Sequence, residues 1–79
     1  MEIRVELFLH FRDRAAETPP GKPVLMELPA PATARDVLAR LGIPERAEKV
    51  VLVDGRTHPL DAPLGEGQTV TVFPPLEGG

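Results

Sequence analysis

The sequence predicts one α+β domain: a mixed β-sheet covered on one face by a single helix, with the other face left to solvent. Three observations predict it. Apolar and polar residues alternate at both ends of the chain, as in half-buried strands; one stretch alone carries helical spacing; and the elements run strand, strand, helix, strand, short strand, strand. With 79 residues and no repeat or linker, the chain reads as one domain. A chain of this size buries only about 60% of its unfolded surface, which leaves little interior for a private active-site cavity.

From Glu2 to Phe11 the residues Ile3, Val5, Leu7, Leu9 and Phe11 fall on one face and Glu2, Arg4, Glu6, Phe8 and His10 on the other, the period of a half-buried strand. Residues 12–23 carry charges and then Pro-Pro-Gly, and read as a long connection. A second alternating run sets Val24, Met26 and Leu28 against Leu25 and Glu27 and stops at Pro29, so the first two strands pair most simply as an antiparallel hairpin with a wide loop. Thr33 and Asp36 form a capping pattern ahead of Ala34, Val37, Leu38 and Leu41, which share one helical face. Gly42 supplies the left-handed stop, and Pro44 bars continuation.

The apolar run Val50 to Val53 predicts a strand buried on both faces or placed centrally, with a turn at Asp54-Gly55 directly after it. Arg56 to Leu60 reads as a short edge strand interrupted by Pro59. The turn Leu64-Gly65-Glu66-Gly67-Gln68 then leads into Thr69 to Phe73, with Val70 and Val72 facing inward and Thr69, Thr71 and Phe73 outward.

Composition narrows the function classes. Nine basic and twelve acidic residues give a net charge of −3 with no basic cluster, so a direct nucleic-acid partner is not expected. No apolar run approaches the ~18 residues of a membrane span, and Met1-Glu2-Ile3-Arg4 enters a strand pattern directly, so the expected location is the cytoplasm. Without cysteine there is neither a disulfide framework nor a thiolate metal site. Serine and tyrosine are absent too, and none of the Thr, Lys, Asp, Glu or His residues sits in an activating constellation, so catalysis by this chain alone is not expected. His10 and His58 lack a third ligand at recognisable spacing, and neither a metal nor a bound cofactor is expected. Ten prolines, no asparagine and the single Gln68 fit the stiff loops of heat-adapted proteins, a bias that a GC-rich genome produces equally.

The chain ends in Gly78-Gly79. At an average glycine usage of about 7%, two glycines in the last two positions arise by chance in roughly one chain in 200. Lacking a Cβ, both can thread a passage too narrow for any other residue, which presents the terminal carboxylate as a reactive handle. Phe73-Pro74-Pro75, two further residues and Gly78-Gly79 are similar to the tail of molybdopterin synthase small subunits. Pro63-Leu64, Glu66-Gly67-Gln68 and Val70 resemble the approach to the last strand in the same group, and Glu6-Leu7-Phe8-Leu9 with Arg12 resembles its first strand. On these motifs the whole chain resembles the MoaD/ThiS family of ubiquitin-like sulfur carriers.

The resemblance implies a ubiquitin-like β-grasp over residues 1–74 and a flexible tail over residues 75–79. It implies that an adenylating enzyme similar to ubiquitin-activating enzymes uses ATP to activate Gly79, that a sulfur donor protein converts it to a thiocarboxylate, and that Gly78 threads the partner's passage. It further implies that the large molybdopterin synthase subunit receives the sulfur for the molybdenum cofactor. Phe8, Phe73, Pro74, Pro75 and Leu76 become candidate interface residues, because Phe8 and Phe73 fall near each other on the outer face where first and last strands adjoin, and Leu25 extends the patch. The same activated terminus also suits a protein modifier, or a sulfur carrier for thiamine, transfer RNA or tungsten cofactors. An inert tail on a binding module is the remaining alternative.

Overall fold

A computed structural model describes residues 1–19 and 21–75. Five strands form one mixed sheet: β1 (Glu2–Leu7), β2 (Val24–Glu27), β3 (Val50–Val53), β4 (Arg56–Thr57) and β5 (Thr69–Phe73), in the spatial order β2-β1-β5-β3-β4. Helix α1 (Ala34–Arg40) covers one face. The β-grasp expectation holds, with the first and last strands adjacent and parallel at the centre, Leu7 opposite Val72. The remaining pairs are antiparallel, including the β1–β2 hairpin.

The core lies between the sheet and α1. Ile3, Val5, Val37, Val70 and Val72 are fully buried, and no polar or charged side chain is buried among the described residues. The helix begins as its sequence dictates: Thr33 Oγ1 accepts from Asp36 N at 3.2 Å, and the Asp36 carboxylate accepts from Thr33 N at 2.9 Å. It ends on Gly42 at φ 73°, where Gly42 N donates to Ala39 O and Ile43 N to Leu38 O, both at 3.0 Å, closing the last turn. Asp54 and Gly55, at φ 50° and 79°, make the two-residue turn whose twist suits a hairpin.

One expectation is corrected. The first strand does not run to Phe11; β1 stops at Leu7, and Leu9–Ala15 form a 3₁₀ helix in what was read as strand and loop. Leu9, expected on the core face, stands 72% exposed at φ 55°, whereas Phe11 is buried as expected. The cause lies across the sheet. Phe8 N donates to Val72 O at 3.0 Å, and the return bond of a parallel ladder would come from residue 74, a proline with no N–H. With no donor to continue the pairing, the chain turns, and Phe11 N donates back to Phe8 O.

The expectation for β3 holds in its second form: the strand is interior, paired with β5 on one side and β4 on the other, while burial is one-sided, with Val53 buried and Val50, Val51 and Leu52 half-buried. A helix on one side alone leaves Val50 and Leu52 on the open face.

Candidate functional site

The two central parallel strands end together, and that shared end builds the candidate site. Register places Phe8, one residue past β1, beside Phe73, and Phe73 is paired with Val50 of β3. Alternation then aims Phe8, Phe73 and Val50 away from α1. Phe8 is 47% exposed, and Phe73, Pro74 and Pro75 are half-buried. Leu25, opposite Arg4, is 59% exposed further along the same face. Polar residues separate it from the phenylalanines, with the Thr71 hydroxyl donating to the Glu6 carboxylate at 3.4 Å.

The sheet thus brings Phe8, Phe73, Pro74 and Pro75 to one corner and sets Leu25 at its margin. Leu76, Gly78 and Gly79 lie outside the described residues, as does Glu77. β5 lies between β1 and β3, and at its end Val72 O accepts from Phe8 N on one side while Phe73 pairs with Val50 on the other. The described chain therefore leaves the sheet at Pro74 and Pro75, directly after a strand paired on both sides up to Val72.

Sequence reasoning missed two features of this corner. Leu9 adds exposed apolar surface next to Phe8, and its one available signal was the proline at 74 opposite the strand's continuation. A cleft of about 300 Å³ also opens between the 12–23 segment and the sheet edge, lined in part by Leu7, Phe8, Arg12, Lys22 and Val24. Spacing alone gave no sign of it, because it forms where a connection folds over β1 and β2.

The histidines lie outside this corner arrangement. His10 packs its ring on Phe11, centroids 4.3 Å apart, and His58 Nε2 stands 3.4 Å from Ala62 O. The clearest electrostatic cluster belongs to the helical layer, where Arg35 bridges Asp61, at 2.6 Å, and Glu45. Hydrogen bonding from Arg35, and secondarily its charge, holds the Asp61 carboxyl below the usual range, and the two carboxylates raise the Arg35 guanidinium in return. These contacts brace the helix start against the 44–47 and 59–62 segments. What the corner offers chemically is an exposed apolar surface at the end of β5.

The model of the ThiS family matches residues 9–79. Among solved structures, a Pyrococcus furiosus protein provisionally designated molybdopterin converting factor subunit 1 is 27% identical at a TM-score of 0.77, covering 96% of this chain and 99% of its own. Small archaeal modifier protein 1 of Haloferax volcanii shares the fold at 20% identity and a TM-score of 0.75, over 95% of this chain and 98% of its own. A protein–protein complex of subunits 1 and 2 of the molybdopterin-converting factor of Helicobacter pylori contains a chain with the same fold, 16% identical at a TM-score of 0.65, with both chains fully covered. Among curated proteins no sequence matches significantly.

Proposed function

Because the chain belongs to the ThiS family, we propose that it is a sulfur carrier whose Gly79 carboxylate is adenylated and then converted to a thiocarboxylate. The observation that carries this reading is the end of β5: the central strand delivers the chain at an exposed apolar corner, and the family match continues through Gly79. A carboxylate is a poor acyl donor. Attack of its oxygen on the α-phosphorus of ATP expels pyrophosphate and leaves an acyl-adenylate, from which a sulfur nucleophile displaces AMP. The charge developing on the carbonyl oxygen is stabilised by donors of the adenylating partner, while this chain supplies the reacting carbon and the reach. Five residues follow Pro74, spanning roughly 17 Å when extended, enough to enter a recessed site with the body outside. The prolines limit the entropy lost when that stem is ordered.

In this reading Phe8, Phe73, Pro74, Pro75 and Leu76 dock on successive partners: the adenylating enzyme, the sulfur donor and the acceptor. Molybdopterin synthesis is the favoured acceptor pathway, with a large synthase subunit as partner and the cytoplasm as location. The Pyrococcus furiosus and Helicobacter pylori structures support that choice. Thiamine, transfer RNA and tungsten cofactor synthesis would use the same chemistry on another acceptor. The likeness to an archaeal modifier supports a second reading, in which an amine takes the activated acyl group.

Intact mass after incubation with an adenylating partner, ATP and a sulfur donor tests the proposal. One oxygen replaced by sulfur is expected in the full chain and not in a chain lacking Gly79, which should still fold. Sulfur incorporation into the truncated chain would sink the assignment of Gly79.

A further inference from the structure

We infer that Lys22 is the acyl-accepting amine of this chain: when the activated terminus of one copy reacts with another copy, the isopeptide bond forms at Lys22 Nζ. The inference rests on the activated terminus of the preceding reading and adds where on the body that terminus can be received.

The chain carries three amines, those of Met1, Lys22 and Lys49. The structure occupies two of them. The Met1 amine completes the β1–β2 ladder, donating to Leu28 O at 2.7 Å, and lies 3.6 Å from the Glu27 carboxylate with its side chain only 12% exposed. Lys49 Nζ donates to three backbone carbonyls, Ala47 O at 2.9 Å, Glu45 O at 3.0 Å and Pro44 O at 3.5 Å. An ammonium has three protons, so all of them are engaged. Either amine must abandon these contacts before its lone pair can reach a carbonyl carbon.

Lys22 is placed differently. Its backbone is fixed by a turn in which Lys22 N donates to Pro19 O at 3.2 Å after Gly21 at φ 81°. The residue is exposed, and among the described residues its ammonium has neither a carbonyl nor a carboxylate partner. It stands at the cleft of about 300 Å³ that Leu7, Phe8, Arg12 and Val24 also line. The incoming end, Pro-Pro-Leu-Glu-Gly-Gly, suits that lining: apolar residues for Leu7, Phe8 and Val24, an acidic side chain for Arg12, the lining's own carboxylate, Glu6, accepting from the Thr71 hydroxyl, and two glycines narrow enough to bring the carbonyl to the amine. In the step itself the neutral Lys22 amine attacks the Gly79 carbonyl of the acyl-adenylate. A C–N bond forms, the C–O bond to phosphate breaks, AMP leaves with the electron pair, and the ammonium proton passes to solvent.

Two measurements test the assignment. In the first, the folded chain is treated with an N-hydroxysuccinimide ester of acetate and mapped by mass. Met1 and Lys49 should react about tenfold more slowly than Lys22, equivalent to about 1.4 kcal/mol of protection, and the gap should close in denaturant. Equal labelling in the folded state would overturn the inference. In the second, a copy carrying a chemically installed C-terminal thioester is mixed with unactivated copies; the cysteine-free chain offers no thiol to divert it. Linked pairs should form, carrying the Thr57–Gly79 tryptic branch on Lys22; they should vanish in Lys22→Arg and persist in Lys49→Arg. Linkage surviving Lys22→Arg, or none in the parent chain, would overturn the assignment. Since this activation needs no enzyme, failed enzymatic adenylation would count against the carrier reading alone.

Discussion

Ile3 and Phe8 lie close together in the sequence and do opposite work. Ile3 is fully buried between sheet and helix, so Ile3→Ala leaves a cavity and should cost about 2–5 kcal/mol of stability, read as a lowered urea midpoint. Phe8 stands 47% exposed and fills no cavity. Phe8→Ala should therefore leave stability within about 0.5 kcal/mol. Its effect should appear in docking, with a loss of more than about 1 kcal/mol in affinity for the adenylating partner, measured by calorimetric titration. A Phe8→Ala chain that binds normally would remove Phe8 from the interface. Alternation separated these two residues correctly because both obey the strand period. Leu9 obeys the same pattern on paper but lies beyond the strand, at a left-handed φ that no side-chain tally reveals.

Elements were legible wherever their boundary signals are local. Helix α1 has both ends written in the sequence, Thr33 with Asp36 at one and Gly42 at the other, and both cap as read. Thr33→Ala should cost about 1 kcal/mol in urea unfolding, because it orphans the Asp36 amide. The end of β1 was not legible, because its cause is remote: residue 74 lies in the partner strand's continuation, and its missing N–H matters only once β1 and β5 are known to be parallel neighbours. The candidate corner was legible in its phenylalanines and prolines for the converse reason: Phe8 still keeps the alternation of β1 one residue past its end, and Phe73 closes β5, whose bounds are local. The cleft at Lys22 was not, being made by a connection.

The Arg35 cluster joins three segments and carries a pH signature. Asp61 is held below its ordinary value in the folded chain, so the contribution of the bridge is complete above the unfolded aspartate value of about 3.9 and fades as pH falls through the lowered folded value. Above that window the parent chain should melt higher than Asp61→Asn, and in acid the two should converge. The carboxylate is solvent-facing, so the gap should be small and should shrink further in about 1 M salt. Melting curves across pH and salt would check both; a gap that widens in acid would contradict the bridge.

At the scale of the whole molecule, the proposed function would separate stability from chemistry along a single strand. Val70 and Val72 of β5 are fully buried, while the same strand ends at the exposed apolar corner, and the end proposed to react lies beyond it in the sequence. The partition predicts a sharp boundary for truncation. A chain ending at Pro75 keeps every strand and core residue found among the described residues, and should unfold within about 0.5 kcal/mol of the full chain while losing all activation. A chain ending at Thr71 loses Val72 and Phe73, and with them the pairings to Leu7, Val51 and Val50. Burial of one such valine is worth about 1.5–3 kcal/mol, and the broken ladder adds to that, against a total of about 5–15 kcal/mol for a single domain. The shorter chain should therefore lose much of its stability, seen as a collapsed urea midpoint by circular dichroism, although only four residues separate the two ends. Equal stability of the two truncations would mean that the end of β5 is not structural, and the proposal that this strand presents the Gly79 end to partners would lose its physical basis.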